Sequence, residues 1–322
     1  MSAAPEKLLP VEPAYRLPVR TEAQRWLVTG LWLEQAVGVC GGEPKCCKSF
    51  LALDLAVSVA SGTACLRHFP VPTAGRVLLY AAEDALHIVR RRLEGICAAA
   101  QVRFEDLDVQ VITAPTVRLD LPADRERLEK TVAALKPRLL VLDPFVRLHR
   151  IDENASGEVA PLLAYLRELQ RRHAISVLVV HHAKKGGARL RAGQALRGSS
   201  EFHAWGDCNL YLRRTENQLT LTVEHRAAPS MPPIDLELAQ RGESLALEVQ
   251  ASAQPTPETS SPTSVDERII TALSDAEHPL SAAELRAVCS VRKATFYARL
   301  EDLTRAGRLL RSPEGYRLAP TA

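Results

Sequence analysis

The sequence predicts an α/β fold, a mostly parallel sheet flanked by helices, with an antiparallel extension and a small C-terminal domain. Three observations predict it. The runs VLLYA, LLVLD and SVLVV show no polar alternation, as strands buried on both faces require. Amphipathic stretches of helical length separate them. After Asp207 the pattern changes to successive strand-like runs with short gaps.

Taken in order, residues 1–21 are Pro-rich and weakly patterned, and are expected to form a loose arm. A strand at 36–40 leads into a helix at 49–61. Strand 77–81 and helix 86–98 follow, then strand 109–112, helix 125–135, strand 139–143, helix 157–173 and strand 176–181. The runs NLYLRR, LTLTVEHR, IDLELA and LALEV are the expected antiparallel extension, with a turn at Glu216-Asn217 between the first two. Residues 251–264, rich in Pro, Ser and Thr, read as a flexible linker. The expected organisation is therefore an arm (1–21), an α/β domain (22–250), a linker (251–264) and a compact tail (265–322).

Composition sets outer bounds. The chain has 322 residues, of which 46% are apolar, as in folded globular proteins. No apolar run reaches the ~18 residues of a membrane helix, and the first residues lack a basic stretch followed by an apolar run, the mark of a secretory signal. Seven cysteines include no CxxC pair. Reduced thiols and a cytoplasmic location are expected from that usage. A net charge of +3 says little about nucleic acid.

The strongest local signal is Gly42-Glu43-Pro44-Lys45-Cys46-Cys47-Lys48-Ser49, followed by Phe50. It lies between an expected strand and an expected helix, the setting a phosphate-binding loop needs. Backbone N–H groups at a helix start point at phosphate oxygens, and the helix dipole favours negative charge there. In such a loop Lys48 reaches the β- and γ-phosphates of ATP, and Ser49 ligates Mg²⁺. Cys47 stands where the pattern GxxxxGK[ST] has glycine, which alone allows positive φ and close backbone approach at little steric cost.

Other strand ends carry matching chemistry. Asp143 closes a buried strand and is placed to hold Mg²⁺ through water; an Asp opening a turn before Pro144 is the other reading. Glu83 and Asp84 close another strand: Glu83 suits a general base for the attacking water, and Asp84 a helix cap or support. His181 and His182 close a third. Lys184, Lys185, Arg189 and Arg191 lie in a basic, glycine-rich stretch suited to nucleic-acid phosphates or simply to solvent.

Together, GGEPKCCKSFLALDLA, AAEDALHIVRRRL, LVLDPFVRLHRIDENASG, VVHHAKKG and RGSSEFHAWGD resemble the RepA-like hexameric replicative helicases and related RecA-fold, AAA-type ATPases. The resemblance runs from Trp26 to Arg226. It implies a RecA-like P-loop NTPase core that binds ATP·Mg²⁺ through Lys48 and Ser49, with Asp143 as the Walker B acid and Glu83 as the catalytic glutamate. It implies that His182 senses the γ-phosphate. Arg197 matches an arginine finger reaching a neighbouring subunit, which implies a homo-oligomer, usually a hexameric ring; Arg226 is a second candidate. Cys47 departs from the family's glycine and puts turnover in doubt.

The tail has its own pattern. A helix at 265–273, a capping box at Ser281 and Glu284, a helix at 292–306 and a hairpin turning at 312–315 resemble a winged helix-turn-helix. In such modules the second helix of the helix-turn-helix enters the major groove. Here its start carries Arg292, Lys293, Thr295 and Tyr297, and a protein-binding role is the competing reading. Phe296, Leu300, Leu303 and Leu309 are expected in the core.

Beside a RecA-like recombination ATPase, which strand-exchange activity would distinguish, two functions remain open on the sequence. One is an oligomeric ATPase that moves on or remodels DNA, such as a helicase, holding single strands at its core and duplex at its tail. The other is a nucleotide-switched regulatory DNA-binding protein with slow or no turnover.

Overall fold

A strand that is apolar at every position must be covered on both faces, and the computed structural model of the chain places helices on each. It describes residues 11–19, 21, 25–182, 201–215, 218–229, 231–241, 244–250, 265–274, 276, 278–289, 293–312 and 315–319. The chain divides into two units, 1–251 and 252–322.

The first unit opens with a 3-10 turn at Ala14–Arg16, where Tyr15 is exposed. Strands β1 (Trp26–Val28) and β2 (Trp32–Leu33) pair antiparallel. They are too short to show a period in sequence. The alternation expected from the sequence then follows. It comprises β3 (Val37–Gly42), α1 (Lys48–Ser61), β4 (Val77–Ala81), α2 (Leu86–Ala99), β5 (Val109–Val111), α3 (Pro122–Leu135) and β6 (Leu139–Asp143). Next come α4 (Ser156–His173), β7 (Ser176–His182), a short α5 (Glu201–Trp205) and β8 (Cys208–Arg214), then β9 (Leu219–His225), β10 (Ile234–Arg241) and β11 (Ser244–Val249). Helix α3 begins three residues earlier than the apolar pattern indicates, because Pro122 stands at its start, where a fixed φ favours the helix and a missing N–H costs nothing.

Among the described residues the main sheet holds nine strands in the order β11-β10-β9-β8-β3-β7-β6-β4-β5. Strands β8, β3, β7, β6, β4 and β5 run parallel, and β9 to β11 extend the sheet antiparallel. Successive residues of each parallel strand serve opposite faces. Leu79, Val141, Leu178 and Val180 pack on the side of α1 and α2. Leu78, Tyr80, Leu140, Leu142 and Val179 pack on the side of α3 and α4. This two-sided burial is why the runs carry no polar alternation.

The order separates two strands that matter. β7 lies between β3 and β6, hydrogen-bonded to both, with Gly42 beside His182 and Leu142 beside Val179. The carboxyl ends of β3, β4, β6 and β7 therefore share one edge, the usual place for ligands in such sheets.

The second unit contains α6 (Val265–Ser274), α7 (Ala282–Cys289), α8 (Lys293–Arg305) and a hairpin of β12 (Leu309–Ser312) and β13 (Gly315–Leu318). Ser281 and Glu284 form a reciprocal capping box: the Ser281 N–H donates to Glu284 Oε2 at 2.8 Å, and the Glu284 N–H to Ser281 Oγ at 3.3 Å. Ile269, Leu285, Phe296, Leu300, Leu303 and Leu309 form its core. Arg299 on α8 pairs with Asp266 on α6, Nε to Oδ1, at 2.8 Å. Among the described residues no helix is long and apolar enough to cross a membrane.

Candidate nucleotide-binding site

The loop between β3 and α1 begins at Gly42, and its geometry explains the glycine. A Cβ there would lie 2.3 Å from the Leu212 carbonyl oxygen on β8 and 2.6 Å from Cys46 Sγ. Only a residue without a side chain lets the two strands approach so closely. Farther along, Lys45 and Cys47 both adopt positive φ, 64° and 66°. Cys47 is the residue that caps α1, in the left-handed region, so a cysteine holds the conformation glycine takes freely, at a cost of about 1–2 kcal/mol. Its sulfur accepts a hydrogen bond from Arg214 Nη2 at 3.1 Å.

Lys48 opens α1 and is buried. Its ammonium turns back over the loop, donating to the carbonyl oxygens of Glu43 at 2.7 Å and Gly42 at 3.0 Å. A buried cation whose nearest partners are carbonyl dipoles favours an anion beside it. Ser49 donates a hydrogen bond from its hydroxyl to the Asp143 carboxylate. Asp143 is only 8% exposed. Burial pushes its carboxyl up to about 6, with Asp84 and Glu83 adding to the rise, while the Ser49 hydrogen bond and the Lys48 charge oppose it.

Glu83 and Asp84 follow β4. Glu83 is held by Arg147 Nε at 2.8 Å. Asp84 pairs with Arg92 and does not cap α2, correcting the cap expected from its position; Ala85 stands there, with no side-chain cap. The carboxylate reaches a charged partner two turns along the helix instead. At the end of β7, alternation sends the two histidines apart. His182 faces the phosphate loop. His181 is buried on the other face, stacked on Phe202 at 4.0 Å between ring centres, with Nδ1 3.8 Å from Glu153 Oε1.

These groups surround one cavity of about 300 Å³. Lys45 to Phe50 form one wall, and Glu83, Asp84, Asp143 and His182 the other. Arg92 also lines it, its guanidinium 5.2 Å from the Phe50 ring centre. Arg92, Arg147 and Arg214 went unnoticed in the sequence, since each is a common residue with no motif of its own. The one usable signal was position: Arg147 four residues past Asp143, and Arg214 two past the strand residue that flanks Gly42.

The donor set suits a cation delivered with a nucleotide. Ser49 and Asp143 offer two oxygen ligands in contact with each other beside the loop. Among the described residues no three His, Cys, Asp or Glu side chains gather into a metal site of their own, so phosphate oxygens and water would complete the shell.

Of the other expected residues, Pro44 and Cys46 lie within the loop. Arg226 is engaged within its own chain, with Asp207 Oδ1 at 3.3 Å and the Ala204 carbonyl. Tyr297 on α8 is exposed. Lys184, Lys185, Arg189, Arg191, Arg197 and Arg292 lie outside the described residues, as do the side chains of Lys293 and Thr295.

The fold and this loop define the class. A family model described as AAA domain matches residues 2–188, more than half of the chain, and the chain belongs to that AAA domain family of ATPases. Among solved structures it is similar to a KaiC-like protein from the hyperthermophilic archaea Pyrococcus horikoshii OT3. That likeness has 14% identity and a TM-score of 0.48, over 72% of this chain and 99% of that one. It is also similar to the RadB recombinase, with 18% identity and a TM-score of 0.49, over 67% of this chain and 90% of that one.

Proposed function

We propose that the protein hydrolyses ATP to move on or remodel DNA, as a RepA-like helicase does. The observation that carries the nucleotide half is the convergence of Lys48, Ser49, Asp143, Glu83 and His182 on one cavity at the carboxyl edge of the parallel strands. In this reading Lys48 leaves its carbonyl partners for the β- and γ-phosphates, and the N–H groups opening α1 hold the phosphate chain. Ser49 and Asp143 would hold Mg²⁺, Asp143 through water, and the ion would supply positive charge against the phosphates. Glu83 orients and deprotonates the attacking water. Its ion pair with Arg147 would have to loosen, because a carboxylate bound to a guanidinium is a poor base. His182 contacts the γ-phosphate from the strand between the loop and the acid.

The DNA half rests on the second unit and on basic residues. Three helices and a hairpin are the parts of a winged helix-turn-helix, with α8 as the helix for the major groove, and Tyr297 is exposed on it. From Arg292 to Arg317 seven basic residues face three acidic ones, which suits phosphate contact. Lys184, Lys185, Arg189 and Arg191 are assigned to single-stranded DNA. Arg197 is assigned to the nucleotide of a neighbouring subunit in a homo-oligomeric, hexameric ring; the intrachain pairing of Arg226 favours Arg197 over it.

Steady-state ATP hydrolysis with and without single-stranded DNA, beside Lys48→Ala, tests this. Stimulation by DNA that Lys48→Ala removes supports a motor; turnover indifferent to Lys48→Ala rejects the site. The second reading, a nucleotide-switched DNA-binding regulator, draws on Cys47 in its left-handed conformation at the loop. ATP binding with little turnover, unaffected by DNA, would favour it.

A further inference from the structure

Strand β8 runs parallel to β3, with Leu212 beside Gly42. β3 ends there and turns into the phosphate loop, but β8 continues to Arg214, still paired with Leu219 on β9. The end of β8 therefore overhangs the loop. Alternation fixes which arginine faces it. Leu210 and Leu212 belong to the core on the α1 side of the sheet, and Tyr211 to the core on the other. Arg214 shares the face of Leu210 and Leu212, and Arg213 the face of Tyr211. The contact agrees: Arg214 Nη2 lies 3.1 Å from Cys47 Sγ, and Cys47 lines the nucleotide cavity.

The partner is mismatched to the donor. A guanidinium offers five N–H groups in a fork suited to carboxylate or phosphate, whereas a cysteine sulfur is a weak acceptor. Arg214 is exposed, and among the described residues its side chain has no carboxylate partner. A cation so placed, beside a loop whose N–H groups cradle the α- and β-phosphates, has a stronger acceptor within reach whenever a nucleotide is bound.

We propose that Arg214 is a phosphate-binding residue acting within its own chain, which contacts the α- and β-phosphates of a nucleoside di- or triphosphate from the end of β8. Cys47 is its resting partner, so the thiol that replaces glycine also competes for this arginine. The assignment rests on the nucleotide-site reading above, and it differs from an arginine finger in the direction of reach: the guanidinium serves the loop of its own subunit.

The test is calorimetric titration of ATP and of ADP into the full-length protein and its Lys48→Ala, Arg214→Ala, Arg214→Lys and Arg213→Ala variants. Arg214→Ala is expected to weaken both nucleotides by about tenfold to a hundredfold, the effect of losing a charge-assisted hydrogen bond. Arg214→Lys is expected to fall in between, keeping the charge and losing the fork. Arg213→Ala, on the opposite face, is expected to bind like the wild type. Wild-type affinity in Arg214→Ala, or an equal loss in Arg213→Ala, overturns the assignment; the latter would mean a general positive field. Should Arg214→Ala fold poorly, Arg214→Lys decides alone, since wild-type affinity there removes the need for a fork. A wild-type protein that binds neither nucleotide defeats the site itself, a distinct failure. Mixing Arg214→Ala with Lys48→Ala separates cis from trans: recovered turnover would show the arginine serving another subunit, against the proposal.

Discussion

The ammonium of Lys48 lies 2.7 Å from the Glu43 carbonyl oxygen and 3.0 Å from that of Gly42, closing the phosphate loop onto itself. The same charge is what a bound phosphate would use. Lys48→Ala is therefore expected to lower ATP turnover by roughly 10²–10³-fold, the usual effect of removing a charge that stabilises the transition state. Phosphate release from ATP is the measurement; turnover within threefold of wild type would reject the loop.

Glu83 is expected to matter for chemistry more than for binding. Glu83→Gln keeps the shape and removes the base, so ATP affinity should stay near wild type while turnover drops about 10²–10⁴-fold. Equal losses in both would make Glu83 a structural partner of Arg147 instead. Arg147→Ala gives the complementary reading: a freed Glu83 should hydrolyse ATP at least as fast as in wild type.

Cys47 holds a backbone conformation that glycine adopts without strain. Cys47→Gly is expected to raise stability by about 1 kcal/mol from relieved strain, less what the added freedom of the unfolded chain takes back. Turnover is expected to equal or exceed that of wild type. Thermal melting and phosphate release check the two parts, and a large loss of turnover would mean that the thiol has a positive role.

His225 on β9 gives a pH prediction away from the site. Burial holds its imidazole below the ordinary 6.5, with Arg25 adding to the fall and the Gly30 carbonyl opposing it. The folded state thus resists protonation while the unfolded state accepts it. Stability from this group is full above about pH 6.5 and declines as pH drops toward the folded value. His225→Gln should flatten the melting temperature between pH 7 and pH 5 relative to wild type. Parallel curves would show that His225 does not contribute.

Much of the first unit was legible because burial on both faces forces one kind of residue. VLLYA and LLVLD could be placed as β4 and β6 to the residue, since each is a short apolar run without polar alternation that closes within two residues of an acid. The strand–loop–helix setting of residues 42–49 was legible for a similar reason: a continuous apolar run precedes it and a helical pattern follows. The small pair β1–β2 was not, because strands of three and two residues carry no period. Arg92 and Arg214 were hidden for another reason. Their place at the site comes from strand order and from a helix passing over the loop, and neither is a local property of sequence. Asp84 shows the limit from the other side: a capping residue type in a capping position was taken by Arg92.

The placement of β7 has a metric consequence. Neighbouring strands stand about 4.8 Å apart, so one intervening strand puts the ends of β3 and β6 roughly 10 Å from each other. The backbone hydrogen bonds of three strands enforce that interval, and no side chain can change it. The sheet is thus a ruler laid across the site. On the proposed reading, a terminal phosphate with its hydrated cation would fit between its marks, with the end of β7 at the midpoint.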